Sequence, residues 1–291
     1  MIKSILLMII SALGFAIVQS IAKFLGPTVS PWAKALYRSL IGLIFLLLYF
    51  FIYRKKIVLK NVPILFIRGF TGALSLIFVF WTIDIYDLSH ATLYLYTYPI
   101  FAPLFSSVFY KEKFHAIYLI PIILSISGVY FIADPTGFSF SYKDIIGLSS
   151  GILAGIAISS LKHLRKTDSP ENIYLCFCLI SSIVCFIGII FKSDQYLSIP
   201  RSNDLPVYLI WILLISLGLF ATAAQLSMTI AYKSLSTTVG TIISLLTLPV
   251  VTFIAIIFFK EAFPVYLIIG GILIFISALS VTLIKRYIIK T

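Results

Sequence analysis

Two arginines stand inside apolar stretches of this 291-residue chain, and no other residues are as able to bind or react there. Arg38 lies about two turns beyond Ser30-Pro31, and Arg68 about one and a half turns beyond Pro63. A central arginine costs roughly 2.5–3.5 kcal/mol on membrane-insertion scales, and less where its head snorkels to the interface. Each therefore either reaches the surface or meets something anionic, because a planar guanidinium forks onto a carboxylate or a phosphate. Arg68 is close to one surface and is expected to snorkel. Arg38 is placed in a solute path.

Hydroxyl, amide and aromatic groups at helical spacing supply the rest of a candidate lining. Tyr94, Thr97, Tyr98 and Phe101 share one helix face by the i, i+3, i+4, i+7 rule. Thr241, Ser244 and Thr247 stand on a second face ahead of Pro249, as the first group stands beside Pro99. Proline cannot donate a backbone hydrogen bond, so each face adjoins a freed carbonyl. Thr222, Gln225 and Thr229 line another helix, with Ser75, Phe78 and Thr82 at the equivalent places of its counterpart. Gln19 and Trp81 complete the candidates. The expected solute-binding set is Gln19, Arg38, Ser75, Trp81, Tyr94, Thr97, Tyr98, Thr222, Gln225, Thr241, Ser244 and Thr247. The plainer alternative is that hydroxyls bond helix to helix and aromatics pack.

Acids are scarce. No Asp or Glu is expected deep in a span; Asp84, Asp87 and His90 fall near a surface. Ion-driven carriers usually keep an ionisable relay inside the membrane. There is no Walker loop, zinc signature or Ser-His-Asp grouping, so catalysis, ATP hydrolysis, a metal and a cofactor are all unexpected. Cys176, Cys178 and Cys185 share one apolar span and read as small buried residues.

The elements that carry these residues are membrane helices. The chain is 61% hydrophobic and 11% charged, with a mean hydropathy of +1.12, far from the composition of soluble domains. Apolar runs long enough to cross a bilayer occur at about 3–24, 31–53, 63–86, 88–110, 114–133, 143–163, 172–192, 205–232, 235–259 and 263–285. Ten transmembrane helices are expected, the first beginning at the N-terminus in place of a signal peptide. The linkers are short and leave no room for a soluble appendage.

The net charge of +12 is distributed in clusters at span ends, such as Arg54, Lys55 and Lys56, which argues against a nucleic-acid partner. With a cytoplasmic N-terminus, 14 basic residues fall inside and 6 outside, with Arg38 and Arg68 left within spans. Both termini are therefore expected in the cytoplasm. Lys23 and Lys162 read as interface anchors or gate residues near opposite faces.

The two halves resemble each other. Ser30-Pro31 and Ser169-Pro170 are 139 residues apart, as are Ser11, Ser20 and Lys23 from Ser150, Ser159 and Lys162. Thr82-Ile83 and Leu88-Ser89 match Thr229-Ile230 and Leu235-Ser236 at 147; Tyr94, Thr97 and Pro99 match Ser244, Thr247 and Pro249 at 150. Lys111-Glu112 matches Lys260-Glu261 at 149, leaving a one-residue register difference near the end of the second of these spans. Five spans per half insert with opposite polarity, giving an inverted repeat over 1–138 and 139–291. Gly147, Gly151 and Gly155 form a small-residue stripe for close helix packing.

Ten spans in a five-plus-five repeat resemble the EamA-type transporters of the drug/metabolite transporter superfamily. So do Ile67-Arg68-Gly69, Asp87-Leu88-Ser89-His90-Ala91-Thr92, Tyr98-Pro99 and Lys111-Glu112. The resemblance covers nearly the whole chain. It implies an all-α integral membrane protein of the plasma membrane, here a bacterial inner membrane. Its expected function is secondary transport of a small polar organic metabolite by alternating access, such as an amino acid, purine, vitamin or adenosyl-type compound. A lipid-handling flippase or membrane-embedded enzyme is the alternative. Partners are the solute and the bilayer, and a homodimer is compatible with the pattern.

Overall fold

A computed structural model describes residues 2–110, 117, 119–132, 141–191, 205–235, 237–262 and 264–290. Within them the chain is helical almost throughout. In chain order the helices are α1 (Ile2–Leu25), α2 (Pro31–Ile52), α3 (Val62–Ile85), α4 (Leu88–Leu95), α5 (Tyr98–Tyr110), α6 (Leu119–Ile132), α7 (Tyr142–Leu164), α8 (Pro170–Phe191), α9 (Val207–Ala231), α10 (Thr237–Ser244), α11 (Thr247–Phe259) and α12 (Val265–Lys290). Among the described residues, α1, α2, α3, α7, α8 and α9 are long and apolar enough to cross a membrane. This is an all-α multi-pass membrane fold. Lys111 and Glu112 of the repeated motif lie outside the described residues.

The helix starts follow from local chemistry. Ser30 caps α2 by accepting from the Ala33 N–H at 3.2 Å, and Ser169 caps α8 by accepting from Asn172 at the same distance. In both, the proline that follows fills a position where no N–H is needed. A reciprocal capping box of Ser141 and Asp144 begins α7.

Two stretches expected as single helices are each broken in two. The run 88–110 divides into α4 and α5 at Tyr96-Thr97, and the run 235–259 into α10 and α11 at Leu245-Leu246. Pro99 and Pro249 cannot donate to the carbonyls one turn back, so the ladder fails just before each. Hydroxyls take over part of the lost pairing: Thr97 Oγ1 donates to the Tyr94 carbonyl at 2.8 Å, and Ser244 Oγ to the Thr241 carbonyl at 2.6 Å.

α3 packs along α7, α1 along α9, α2 along α8, and α6 along α12. The broken helices lie against α7 and α1. The glycine stripe of α7 is the seat for α4 and α5: a Cβ on Gly147 would stand 2.7 Å from the Tyr94 ring, and one on Gly155 2.6 Å from the Phe101 Cβ. At Gly151 it would strike Thr97 Oγ1 beside the break itself. Large apolar side chains such as Leu47, Phe51, Phe186, Phe191 and Phe258 face outward, as a lipid solvent permits.

Candidate functional site

A cavity of about 130 Å³ lies at mid-bundle. From α1 come Ser11, Phe15 and Gln19; from α3, Arg68, Gly72, Ser75, Val79 and Phe80. α2 gives Arg38, α8 gives Phe177, α7 gives Ala154, Ala157 and Ile158, and α9 gives Gln225 and Met228. Both broken helices reach it, through Tyr96 and Tyr98 on one side and Ser244 on the other. There the breaks touch. Ser244 Oγ, already donating to Thr241, accepts from the Tyr98 hydroxyl in a short hydrogen bond.

Of the twelve expected residues, Gln19, Arg38, Ser75, Tyr98, Gln225 and Ser244 line this cavity. The other six stand elsewhere. Thr97 and Thr247 brace the breaks from behind, Thr247 Oγ1 donating to the Ala12 carbonyl at 3.1 Å. Thr241 is buried on α10 and its carbonyl receives Ser244. Thr222 Oγ1 donates to its own helix at Gly218, 2.8 Å, and accepts from Tyr174 at 3.1 Å, linking α9 to α8. Trp81 is half-buried on α3 outside the lining. Tyr94 points away, donating to Asp144 Oδ1 at 2.6 Å and stacking on His90.

Arg68 departs from expectation. Instead of snorkelling to the surface it is 4% exposed and lines the cavity. Arg38, 3% exposed, joins it. Both guanidiniums lie over one ring, that of Phe177, at 5.5 Å for Arg38 and 5.1 Å for Arg68. A cation over an aromatic face is attracted by the ring quadrupole, with its N–H edges left unused. Nε and Nη1 of Arg38 and Nε of Arg68 are buried without a hydrogen-bond partner, and among the described residues neither arginine has an acidic partner. The sequence held a faint signal of this, an Arg-x-x-x-Gly step that occurs twice, at Arg38/Gly42 and Arg68/Gly72. At Gly72 a Cβ would collide with Arg68 Nη1 and stand 2.9 Å from Phe177, so the glycine makes room for the stacked guanidinium.

A second set of charges closes the bundle where α3 passes into α4. Lys34 is 0% exposed and forms a short ion pair with Asp84. Lys23 Nζ donates to the Tyr86 carbonyl at 2.7 Å and lies 3.9 Å from Glu261. The Glu261 side chain, 5% exposed, accepts from the N–H groups of Leu88 at 2.7 Å and Ser89 at 3.2 Å. It thereby caps α4 from a distant part of the chain, where Asp87 makes no side-chain cap. Tyr86 donates to Asp144 at 2.5 Å; burial, and then that carboxylate, push its phenol well up, so it stays a donor. Toward the other end of the bundle Arg165 donates to the Thr229 carbonyl at 3.0 Å and to the Asp168 carbonyl at 2.6 Å.

A mainly apolar hollow dotted with arginine, glutamine, serine and tyrosine groups, set among apolar helices with broken helices meeting in its wall, fits a multi-pass membrane carrier of small molecules. The comparisons agree. Residues 2–133 and 141–283 match the EamA-like transporter family, and the chain belongs to it, within the drug/metabolite transporter superfamily. It is a transporter, not an enzyme. An uncharacterized transporter of Helicobacter pylori (strain ATCC 700392 / 26695) is 30% identical over 236 residues, 78% of this chain and 77% of that one. The pseudopaline exporter CntI of Pseudomonas aeruginosa (strain UCBPP-PA14) is 24% identical over 288 residues, 98% of this chain and 97% of its own. A solved crystal structure, 18% identical, shares the fold with a TM-score of 0.62 over 99% of this chain and 96% of the other.

Proposed function

We propose that the chain carries a small polar organic metabolite across a bacterial inner membrane by alternating access. In this reading ten spans form two inverted five-helix halves, 1–138 and 139–291, with both termini in the cytoplasm. The candidate site is the central cavity, with Gln19, Arg38, Ser75, Tyr98, Gln225 and Ser244 facing the solute. The observation that carries the proposal is the contact of Tyr98 with Ser244 in the cavity wall, where the breaks of two proline-interrupted helices meet. Interrupted helices at mid-membrane are where repeat-built carriers hold their solutes.

Packing supports the repeat. Pairs of contacting helices exchange with one another when the halves are swapped: α3 with α7 becomes α9 with α1, and α5 with α7 becomes α11 with α1. Side chains follow the same exchange. Thr97 sits against Gly151 of α7, and Thr247 against Ala12 of α1, two positions that are 139 residues apart. Lys23 reaches carbonyls at the end of α3, and Arg165, about one turn beyond Lys162, the counterpart of Lys23, reaches one at the end of α9. In such an assembly the rocking elements would be α3 with α4–α5 and α9 with α10–α11. Two relatives named as pseudopaline exporters favour an organic solute and outward movement.

The test is release of solutes from phosphatidylcholine proteoliposomes loaded with a small-metabolite extract. Purified protein should release a restricted set of compounds faster than protein-free vesicles, and Tyr98→Phe with Ser244→Ala should slow that release. Release no different from protein-free vesicles overturns the carrier reading. Scrambling of a fluorescent lipid in the same vesicles, without metabolite release, would replace it with a flippase.

A further inference from the structure

We propose that Arg38 and Arg68 form, across the ring of Phe177, a two-pronged site for an organic dianion. The inference rests on the carrier reading above and deepens it by naming the solute's charge. Two guanidiniums stand in one cavity wall, each buried, with three of their N–H-bearing nitrogens unpartnered. Burying even one uncompensated charge costs several kcal/mol, and two like charges beside one ring add mutual repulsion. The Phe177 ring attracts both, yet a quadrupole does not neutralise them. Among the described residues the other polar groups of the lining, such as Ser11, Gln19, Ser75 and Gln225, are all neutral. What is missing is negative charge of about two units, delivered to the N–H edges from the cavity side.

The chemistry of those edges specifies the occupant further. A guanidinium presents parallel N–H groups that match a carboxylate or a phosphate in plane, which a lysine ammonium does not. Gly72 leaves the space in which Arg68 reaches its stacked position. The site thus takes a compact solute with two carboxylates, or one phosphate monoester, and its neutral remainder would lie against Phe15, Val79 and Phe80.

The experiment uses the full chain in proteoliposomes of phosphatidylcholine, which brings no anionic lipid headgroup, loaded with the same extract. Released compounds are identified by mass spectrometry and sorted by charge at pH 7. The expected result is a released set rich in dianions, dicarboxylates and phosphate esters being scored separately. Arg68→Gln and Arg38→Gln should each slow dianion release by about thirtyfold or more, and Arg68→Lys by about tenfold. The two glutamine variants should insert and melt at or above the parent's temperature, since a buried unpaired charge has been removed. Release of neutral or cationic compounds only, unchanged in Arg68→Gln, overturns the dianion site and leaves the carrier standing. Monoanions released as fast as dianions, or losses confined to the Arg38 variant, also overturn it. No release at all removes the carrier reading and this inference with it.

Discussion

Where α3 passes into α4, both cations have a partner: buried Lys34 has Asp84, and half-buried Lys23 has the Tyr86 carbonyl and Glu261. At mid-bundle, Arg38 and Arg68 have an aromatic ring and, among the described residues, no acid. Lys34 is as withdrawn from solvent as the two arginines, so burial alone does not distinguish the two places. Partnership does. A charge paired within the chain is already satisfied and serves to hold helices together; a charge left unpaired at a cavity is satisfied only by what enters. The comparison therefore predicts opposite consequences for removing a charge in the two places.

The largest effect should come from Asp84→Asn. It strands the Lys34 ammonium without a counter-charge, and breaking one partner of a buried pair costs about 3–5 kcal/mol. Thermal melting of the purified protein in detergent should fall sharply, whereas Arg38→Gln in the cavity should leave it unchanged or raise it. The double change Lys34→Met with Asp84→Leu should recover most of the loss, because apolar side chains of similar volume often replace a buried pair without penalty. Equal destabilisation by Asp84→Asn and Arg38→Gln would erase the distinction between the two groups of charges.

Much of this was legible in the sequence, and the failures have a common cause. Ser30-Pro31 and Ser169-Pro170 mark helix starts because capping is local chemistry, and each serine caps the helix that follows it. The breaks before Pro99 and Pro249 are foreshadowed by the same local rule, although single helices were expected across them. The glycine stripe on α7 indicated a close neighbour but not which one; only the fold shows that it receives Tyr94, Thr97 and Phe101. Depth along one helix misled for Arg68: counted from the start of α3 it is near a surface, yet its side chain folds inward over Phe177, a residue far away in sequence. Lys34 with Asp84, and Glu261 with the start of α4, are likewise pairings between distant segments. Tyr94 and Thr97 share a face with Tyr98, but the break between them turns Tyr98 alone toward the cavity.

A smaller effect is expected at Glu261. Glu261→Gln keeps the shape of the side chain and one carbonyl oxygen for the Leu88 N–H, but removes the charge from the α4 N-terminus. It also removes the counter-charge 3.9 Å from Lys23. Loss of a helix cap costs about 0.5–2 kcal/mol, and the retained oxygen places this change toward the lower end. Melting temperature should drop modestly, with Glu261→Asp, which shortens the reach, behaving at least as badly. An unchanged melting temperature in both variants would show that the carboxylate is not a structural charge, moving it to the unpaired side of the comparison.

The smallest effect, and the sharpest on the cavity side, is expected for Gly72→Ala. The substitution leaves every charge in place, so any change in transport reports position rather than electrostatic loss. An added methyl would overlap Arg68 Nη1 and press on the Phe177 ring at 2.9 Å. The guanidinium is the free end of a long side chain and gives way first; the buried ring shifts by less. Alanine in a helix interior is favoured over glycine by roughly 0.5–1 kcal/mol, which offsets part of the crowding, so melting temperature should change little. Displacing the guanidinium weakens its hydrogen bond to the solute without abolishing it. Dianion release should therefore slow by about threefold, the order expected for a fraction of one hydrogen bond. Gly42→Ala is the matched control on α2. There the three atoms nearest an added Cβ belong to Tyr174, Cys178 and Thr222, so its cost is expected on packing and melting temperature rather than on the charge selectivity of release. If Gly72→Ala and Gly42→Ala alter selectivity alike, the position of Arg68 over Phe177 is not what selects the solute.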